Sequence, residues 1–492
     1  MDQIGIASSM FDALDAANVD YVHWKSNEHL AQALRGETDL DLLISSEHDR
    51  RFTAVVDRLG FVEIRFPKAR RVPGLTGYLG HDDSSGVLLH LDVHYRLILG
   101  EQLIKNHHLP LEDWLLTDFD ELDGIHVPSP ARELLLLYVR AMLKTTARQL
   151  LRAARRGRSP LPERIQKEAS WLAGRVDPSQ AIEAATSSEL GIPAPELVEF
   201  RLRALERRFD WRYVAERKRS LRKRLRRYER TPRWRALPRK FGLRLRASRP
   251  IRRVGFGIGP RRLVGPAPLI AVVGADGAGK TRLTRDLTAW LERKLVVHHV
   301  YFGQPKNLSL FKLVKKLAKV ARGTPSDGRD ARFPTPKRWL VGFGRSTDDV
   351  KWVVLATRRR RLADRARAAC RSGEIVIAER FPLEEFRSMA TPMDGPRLAR
   401  AEGSVSRLLA WAEARSYDSI DPPDLVLALS TDLDTLRERK VDLSVEEHTP
   451  KAEAVQALEP GPGVVVIDAG RPYCDVLAEA QASVWRALIA GR

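Results

Sequence analysis

The sequence predicts an α/β protein: a C-terminal parallel sheet covered on both faces, an N-terminal α+β domain, and a helical, basic connector between them. Three observations lead to this reading. After Leu269, short runs that are apolar throughout alternate with helical stretches, the pattern of strands buried on both faces. A glycine-rich turn sits between the first of these runs and a helix. Near the N-terminus, a short apolar strand carries carboxylates at alternate positions, which places them on one face.

Residues 1–129 mix short helices and strands. Within YVHWKSNEHLAQALRGETDLDLLI, Asp39 and Asp41 project from the same side of a strand. Two carboxylates on one face repel unless a cation lies between them, so this pair is a candidate divalent-metal site. Asp92, in LLHLDVHYRL, lies on another apolar strand and is the candidate third ligand. Lys25-Ser26 lies 13 residues before Asp39, counted from Ser26. The plainer alternative is an acidic, surface-facing strand without chemistry. His90 and His94 flank Asp92 and read as strand-face residues rather than metal ligands.

Residues 130–230 read as helical. ELLLLYVRAMLKTTARQLL follows Pro130 and ELVEFRLRALERRFDW follows Pro195, both with apolar residues at helical spacing. WRYVAERKRSLRKRLRRYER (211–230) aligns Val214, Leu221, Leu225 and Tyr228 in one stripe among arginines. Such a helix can lie on an anionic membrane, grip nucleic-acid phosphates, or pack by its stripe with the arginines solvated. The net charge of +21 is concentrated around it: residues 201–262 hold 25 Lys and Arg against four acids. The remainder is near neutral, which removes support for a nucleic-acid-binding protein as a whole. Residues 231–268, rich in Pro, Gly and Arg, read as a linker.

The segment 269–492 carries the strongest signal. LIAVV (269–273) leads into Gly274-Ala-Asp276-Gly277-Ala278-Gly279-Lys280-Thr281 and then a helix. This is G-x-x-x-x-G-K-T in the setting that gives it meaning: backbone N–H groups and a helix N-terminus turned towards phosphate. Lys280 is expected at the β- and γ-phosphates of ATP, and the Thr281 hydroxyl on Mg²⁺. The later apolar runs are VVHHVYF (296–302), IVIA (375–378), LVLAL (425–429) and VVVI (464–467). IVIA ends at Glu379-Arg380, candidates for holding Mg²⁺ and for contacting an acceptor phosphate; the plainer reading is an ion pair at a strand end.

Two cysteines, Cys370 and Cys474, exclude a disulfide framework or a multi-thiolate metal site. The N-terminus lacks a signal-peptide pattern, and no run approaches the ~20 apolar residues of a membrane span. The expectation is a cytoplasmic protein, membrane-peripheral if the basic helix lies on lipid.

The 269–490 region resembles thymidylate kinases. GADGAGKT is similar to that family's G-x-D-G-x-G-K-S/T loop, and ATRRRRLADRARAACRSGEIVIAERF to its A-x-R helix and Asp-Arg strand end. DLVLALSTDLDTLRERK and VVVIDAGRPYCDVLAEAQASVW resemble the approach to its lid and its closing strand and helix. The resemblance implies phosphate contacts at Arg358 and Arg380, lid cations at Arg437, Arg439 and Lys440, and transfer of the ATP γ-phosphoryl to a small phosphorylated acceptor. Glu379 replaces the family's Asp, Phe302-Gly-Gln-Pro305 lacks its F-x-R-E-P, PLEEFRSMATPMDGPRL replaces its thymine-holding run, and a basic insertion follows Gln304. Phosphoryl transfer is therefore expected, and thymidylate as acceptor is not.

The segment 15–150 resembles polymerase-beta-type nucleotidyltransferases, which implies metals on Asp39, Asp41 and Asp92 and a triphosphate grip at Lys25-Ser26, where the family's turn contains glycine. The whole reads as a phosphotransferase with an appended nucleotidyltransferase-like domain. The alternatives are nucleotidyl transfer at the N-terminal acids, with the P-loop domain in support, and an ATP-gated membrane- or RNA-binding module. A second copy of the chain is a further expected partner.

Overall fold

The structure is a computed structural model that describes residues 4–67, 71–101, 104–232, 261–303, 337–386, 395–398, 404–432 and 452–491; for 337–348 it describes the backbone alone. The chain forms two compact units, 1–264 and 265–492.

The N-terminal unit is built on a six-stranded sheet. Its strands are β1 (Tyr21–His23), β2 (Leu40–Ile44), β3 (Val62–Arg65), β4 (Leu75–His81), β5 (Leu88–His94) and, far along the chain, a two-residue strand at Arg262–Leu263, in the order β1-β2-β5-β4-β3 followed by that late strand. β2 and β5 run parallel, with Asp41 opposite Asp92; the other pairings are antiparallel. Two hairpins follow, β6 (Leu97–Glu101) with β7 (Ile104–Leu109) and β8 (Phe119–Leu122) with β9 (Ile125–Pro128). Helices α1 (Gly5–Ala16), α2 (Leu30–Leu34) and α3 (Asp49–Arg58) supply Met10, Leu14, Phe52 and Val56 to one core beside Leu40, Leu42 and Leu91.

The region expected to be a separate helical connector belongs to this same unit. After α4 (Glu112–Leu116), the helices α5 (Pro130–Lys144), α6 (Ala147–Arg156), α7 (Glu163–Ala173), α8 (Pro178–Ser187), α9 (Ala194–Leu205) and α10 (Trp211–Arg224) follow. Their apolar faces close over Val22 of β1, Leu43 of β2 and Trp24 just after β1 in one core. α5 is surrounded on all sides, Glu133 to Leu143 being buried without a break, so its apolar residues are not confined to one face and even the charged Glu133 and Arg140 are covered. The expected linker 231–268 also changes status at its end: Arg262 and Leu263, here β10, pair with Arg65 and Ile64 of β3.

The C-terminal unit carries a five-stranded, wholly parallel sheet in the order β12-β13-β11-β14-β15: β11 (Leu269–Gly274), β12 (Val297–Tyr301), β13 (Ile375–Glu379), β14 (Leu425–Ser430) and β15 (Val464–Asp468). β11 and β13 are buried along their whole length, which explains why their sequences are apolar throughout rather than alternating. The helices are α11 (Lys280–Glu292), α12 (Lys337–Arg371), α13 (Ser404–Asp418) and α14 (Tyr473–Ala490). Among the described residues, no helix is long and apolar enough to cross a membrane.

Candidate functional site

The phosphate loop lies where β11 ends and α11 begins, at the middle of the sheet. Gly277 and Gly279 have φ of +99° and +92°, a region that side chains with a Cβ avoid. At Gly274 the limit is space: a Cβ there would meet the Leu429 carbonyl oxygen at 3.0 Å and Ala278 Cβ at 3.4 Å. Lys280 is buried, and its Nζ donates to the carbonyls of Gly274 (3.0 Å) and Ala275 (2.6 Å) and lies 3.5 Å from Asp276. Burial lowers the pKa of its ammonium, with Arg380 adding to this and Asp276 and Glu379 opposing it. The Thr281 hydroxyl donates to Glu379 Oε1 at 2.8 Å. The loop thus joins the ends of two adjacent strands, since β11 and β13 are hydrogen-bonded neighbours.

Arg380 follows Glu379 with φ +59°, an uncommon backbone setting for a long side chain and one that concentrates at functional sites. Its Nη2 donates to Asp276 Oδ1 at 2.6 Å. Asp276 therefore lies between Lys280 and Arg380. Arg358 donates to the Gly303 carbonyl just beyond β12 (3.4 Å). The adjacent Arg359, which the sequence reading passed over, is buried, donates to the Phe302 carbonyl (2.9 Å) and to the Tyr417 hydroxyl (2.6 Å), and anchors α12 to the sheet and to α13. Arg437, Arg439 and Lys440, the expected lid cations, lie outside the described residues, as do residues 304–336 of the basic insertion.

In the N-terminal unit the structure brings Asp39, Asp41 and Asp92 together through the β2–β5 pairing, but surrounds each with cationic or imidazole partners. Lys25 pairs with Asp41. His94 Nε2 lies 3.6 Å from Asp41, and His90 lies 2.7 Å from Asp39 and 3.3 Å from Asp92. Arg261 reaches Asp39 at 3.5 Å and Asp92 at 3.9 Å. Burial pushes the Asp41 carboxyl up, but Lys25 and His94 outweigh it and hold the group well below the usual carboxylate range. Among the described residues, no group of three or more His, Cys, Asp or Glu side chains is placed to hold a metal ion. In this arrangement the charge of Asp39, Asp41 and Asp92 is met by Lys25, Arg261 and the two histidines. His90 and His94 are strand-face residues, as expected, yet they contact the acids, which the sequence reading did not anticipate.

Ser26 occupies the left-handed region with φ +62° and ψ +37°. The turn therefore takes a glycine-like conformation although the residue is serine, at a strain on the order of 1–2 kcal/mol. Beside it opens a cavity of about 320 Å³ lined by His23, Lys25, Ser26, His29, Ala33, Thr38, Asp39, Asp41 and Arg164.

No protein-family model matches the chain. It is 29% identical over 229 residues to the uncharacterized ATP-binding protein YghR of Escherichia coli K12, covering 44% of this chain and 86% of the relative. It is 24% identical over 230 residues to the uncharacterized ATP-binding protein YghS of the same organism, covering 45% and 94%. Among solved structures, a thymidylate kinase from Candida albicans aligns with 13% identity and a TM-score of 0.27, covering 45% of this chain and 91% of that one.

The basic helix α10 is also placed. Val214, Leu221 and Leu225 are buried and Tyr228 is half-buried against the same core, so the stripe that a lipid surface would need is already inside the unit. Lys218, within the arginine run, is buried and donates to the carbonyls of Met142, Leu143 and Thr145 at the end of α5. Arg217 pairs with Glu196 and Glu199, Arg222 with Glu101 and Arg224 with Glu196. Of the three readings of this helix, packing by the stripe matches its position, and the arginines are partly paired rather than simply solvated.

Proposed function

We propose that the C-terminal unit is an ATP-dependent phosphotransferase that moves the γ-phosphoryl group to a phosphate or hydroxyl of a small acceptor, a nucleoside monophosphate being the first to try. The observation that carries the proposal is the conjunction at the sheet's centre: a glycine-shaped loop, a helix N-terminus, a buried lysine, and the Thr281–Glu379 hydrogen bond at 2.8 Å. The ATP-binding relatives YghR and YghS support nucleotide as the ligand.

The roles follow from charge. Backbone N–H groups of 276–280 and the N-terminus of α11 offer positive potential to the β-phosphate. With nucleotide bound, the Lys280 ammonium exchanges its carbonyl partners for phosphate oxygens and opposes the negative charge that spreads over the transferring group. Arg380, tethered to Asp276, is positioned by that ion pair to turn towards an acceptor phosphate. Thr281 and Glu379 offer hard oxygen donors side by side, a set that fits Mg²⁺; the bound ion would neutralise phosphate charge.

The test is transfer of label from ATP to a panel of nucleoside monophosphates, nucleosides and phosphosugars, with Lys280→Ala as control. A labelled acceptor that depends on Lys280 supports the reading. Label appearing only as free phosphate, or transfer that survives Lys280→Ala, defeats it. No step is assigned to the N-terminal acids, whose charge is met by Lys25, Arg261 and the two histidines.

A further inference from the structure

The cavity beside Ser26 contains a histidine whose protonation pattern the surrounding hydrogen bonds determine. Asn27, buried, donates from its backbone N to Glu133 Oε1 at 3.1 Å and from Nδ2 to Glu133 Oε2 at 2.8 Å. With Glu133 ionised, above its raised pKa of about 7, only an amide nitrogen can donate to the carboxylate, which fixes the amide orientation. Asn27 Oδ1 then remains an acceptor and lies 2.5 Å from His23 Nδ1. His23 must therefore carry its proton on Nδ1. Burial, the largest influence on this ring, lowers its pKa and favours the neutral form, which leaves Nε2 with a free lone pair. That atom is buried and has no hydrogen-bond partner among the described residues, while His23 lines the cavity and is only 2% exposed. A buried acceptor without a donor costs ~1–3 kcal/mol, which a ligand N–H or O–H would recover.

The other lining groups narrow the class of ligand. Lys25, Ser26, His29 and Arg164 can donate, while Asp39 and Asp41 accept, and the His23 ring lies in the same wall. A hydroxyl does both, so a polyhydroxylated molecule satisfies such a wall. Two cations of the lining, Lys25 and Arg164, can meet negative charge, Lys25 while it also pairs with Asp41. Arg164 is exposed and joins no ion pair among the described residues. Lys105, Arg140 and Lys144 lie within electrostatic reach of Lys25: loss of hydration lowers Lys105 and Lys144, and repulsion among these cations lowers them further. About 320 Å³ lies at the small end of ligand pockets.

We propose that this cavity binds a phosphorylated sugar, one hydroxyl donating to His23 Nε2 and the phosphate meeting Lys25 and Arg164, without a divalent metal. Glu133 and Asn27 are positioning residues that hold His23 in the accepting tautomer. The inference does not rest on the phosphotransferase reading of the other unit.

The experiment is calorimetric titration of the full chain, in a Lys280→Ala background that weakens the other phosphate site, with glucose 6-phosphate, glucose and inorganic phosphate in the presence of EDTA. Glucose 6-phosphate is expected to bind about tenfold more tightly than either control, the factor that one hydrogen bond supplies. His23→Phe removes that preference, and His23→Gln, which keeps an oxygen near the Nε2 position, restores much of it. Arg164→Ala weakens glucose 6-phosphate and phosphate alike. Because the phenylalanine variant can fail to fold, ¹⁵N-histidine spectra of the unaltered chain give a second reading: His23 protonated at Nδ1, with an Nε2 resonance that moves on adding glucose 6-phosphate. Equal affinity for all three probes, no binding, a requirement for divalent metal, or His23 protonated at Nε2 overturns the proposal.

Discussion

Lys280 is the residue on which the C-terminal chemistry turns. Replacing it by alanine is expected to slow single-turnover transfer by roughly 10²–10³ or more, as removal of a preorganised charge-stabilising donor does, with near-wild-type thermal stability of the C-terminal unit as the folding control. Thr281→Ala and Glu379→Gln lose the 2.8 Å hydrogen bond, and both are expected to raise the magnesium concentration needed for half-maximal rate. Glu133 carries a different expectation. Burial, with nearby Glu168 adding, raises its pKa to about 7, against opposing hydrogen bonds from Asn27. An acid whose folded value exceeds its unfolded value binds more protons when folded, so its contribution to stability falls as pH rises from the ordinary glutamate range towards 7. Urea midpoints between pH 5 and 7.5 are expected to show this decline, worth up to about 3 kcal/mol, and Glu133→Gln is expected to flatten it. A midpoint that rises with pH in that window and is unaffected by the substitution contradicts the assignment.

At the scale of elements, the C-terminal strands were legible because burial on both faces leaves few alternatives to apolar residues. LIAVV, IVIA, LVLAL and VVVI fall within β11, β13, β14 and β15 to within a residue or two. The loop was legible because its geometry requires glycine, and the expected fold class holds. Three features were hidden, each for a physical reason. The His23–Asn27–Glu133 chain joins residues 106 apart, and no local pattern encodes such a contact. Arg261 meets Asp39 and Asp92 from the far end of the unit, so a carboxylate face that reads as a metal site already has its counter-charges. The helical middle read as a connector because its helices look self-sufficient, whereas they share a core with β1 and β2. Two changes test these elements. Gly279→Ala forces a Cβ into φ +92° and is expected to weaken ATP binding by about tenfold, a strain of about 1–2 kcal/mol. Leu221→Ala on α10, fully buried, is expected to cost about 2–5 kcal/mol of N-terminal stability, visible as a lowered first melting transition. No loss would mean that the basic helix is not packed as described.

For the whole molecule, the two units have separate hydrophobic cores. Two unfolding transitions are therefore expected in urea or in calorimetry, and Mg-ATP is expected to raise only the one belonging to the C-terminal unit, since a ligand stabilises what it binds in proportion to RT ln(1 + [L]/Kd). A single transition displaced as a whole by nucleotide would show that the units unfold as one cooperative block. The chain order adds a constraint on how the protein can be divided. β10 pairs with β3, yet it is contributed by residues that come just before β11. A gene fragment ending at residue 230 would give an N-terminal piece with β3 as a bare sheet edge and with Asp39 and Asp92 deprived of their arginine. Bare edges recruit other chains, so such a piece is expected to self-associate, whereas one ending at 264 keeps its border. The seam for cutting this protein in two lies after Val264, at the far end of the Pro-, Gly- and Arg-rich stretch rather than at its start.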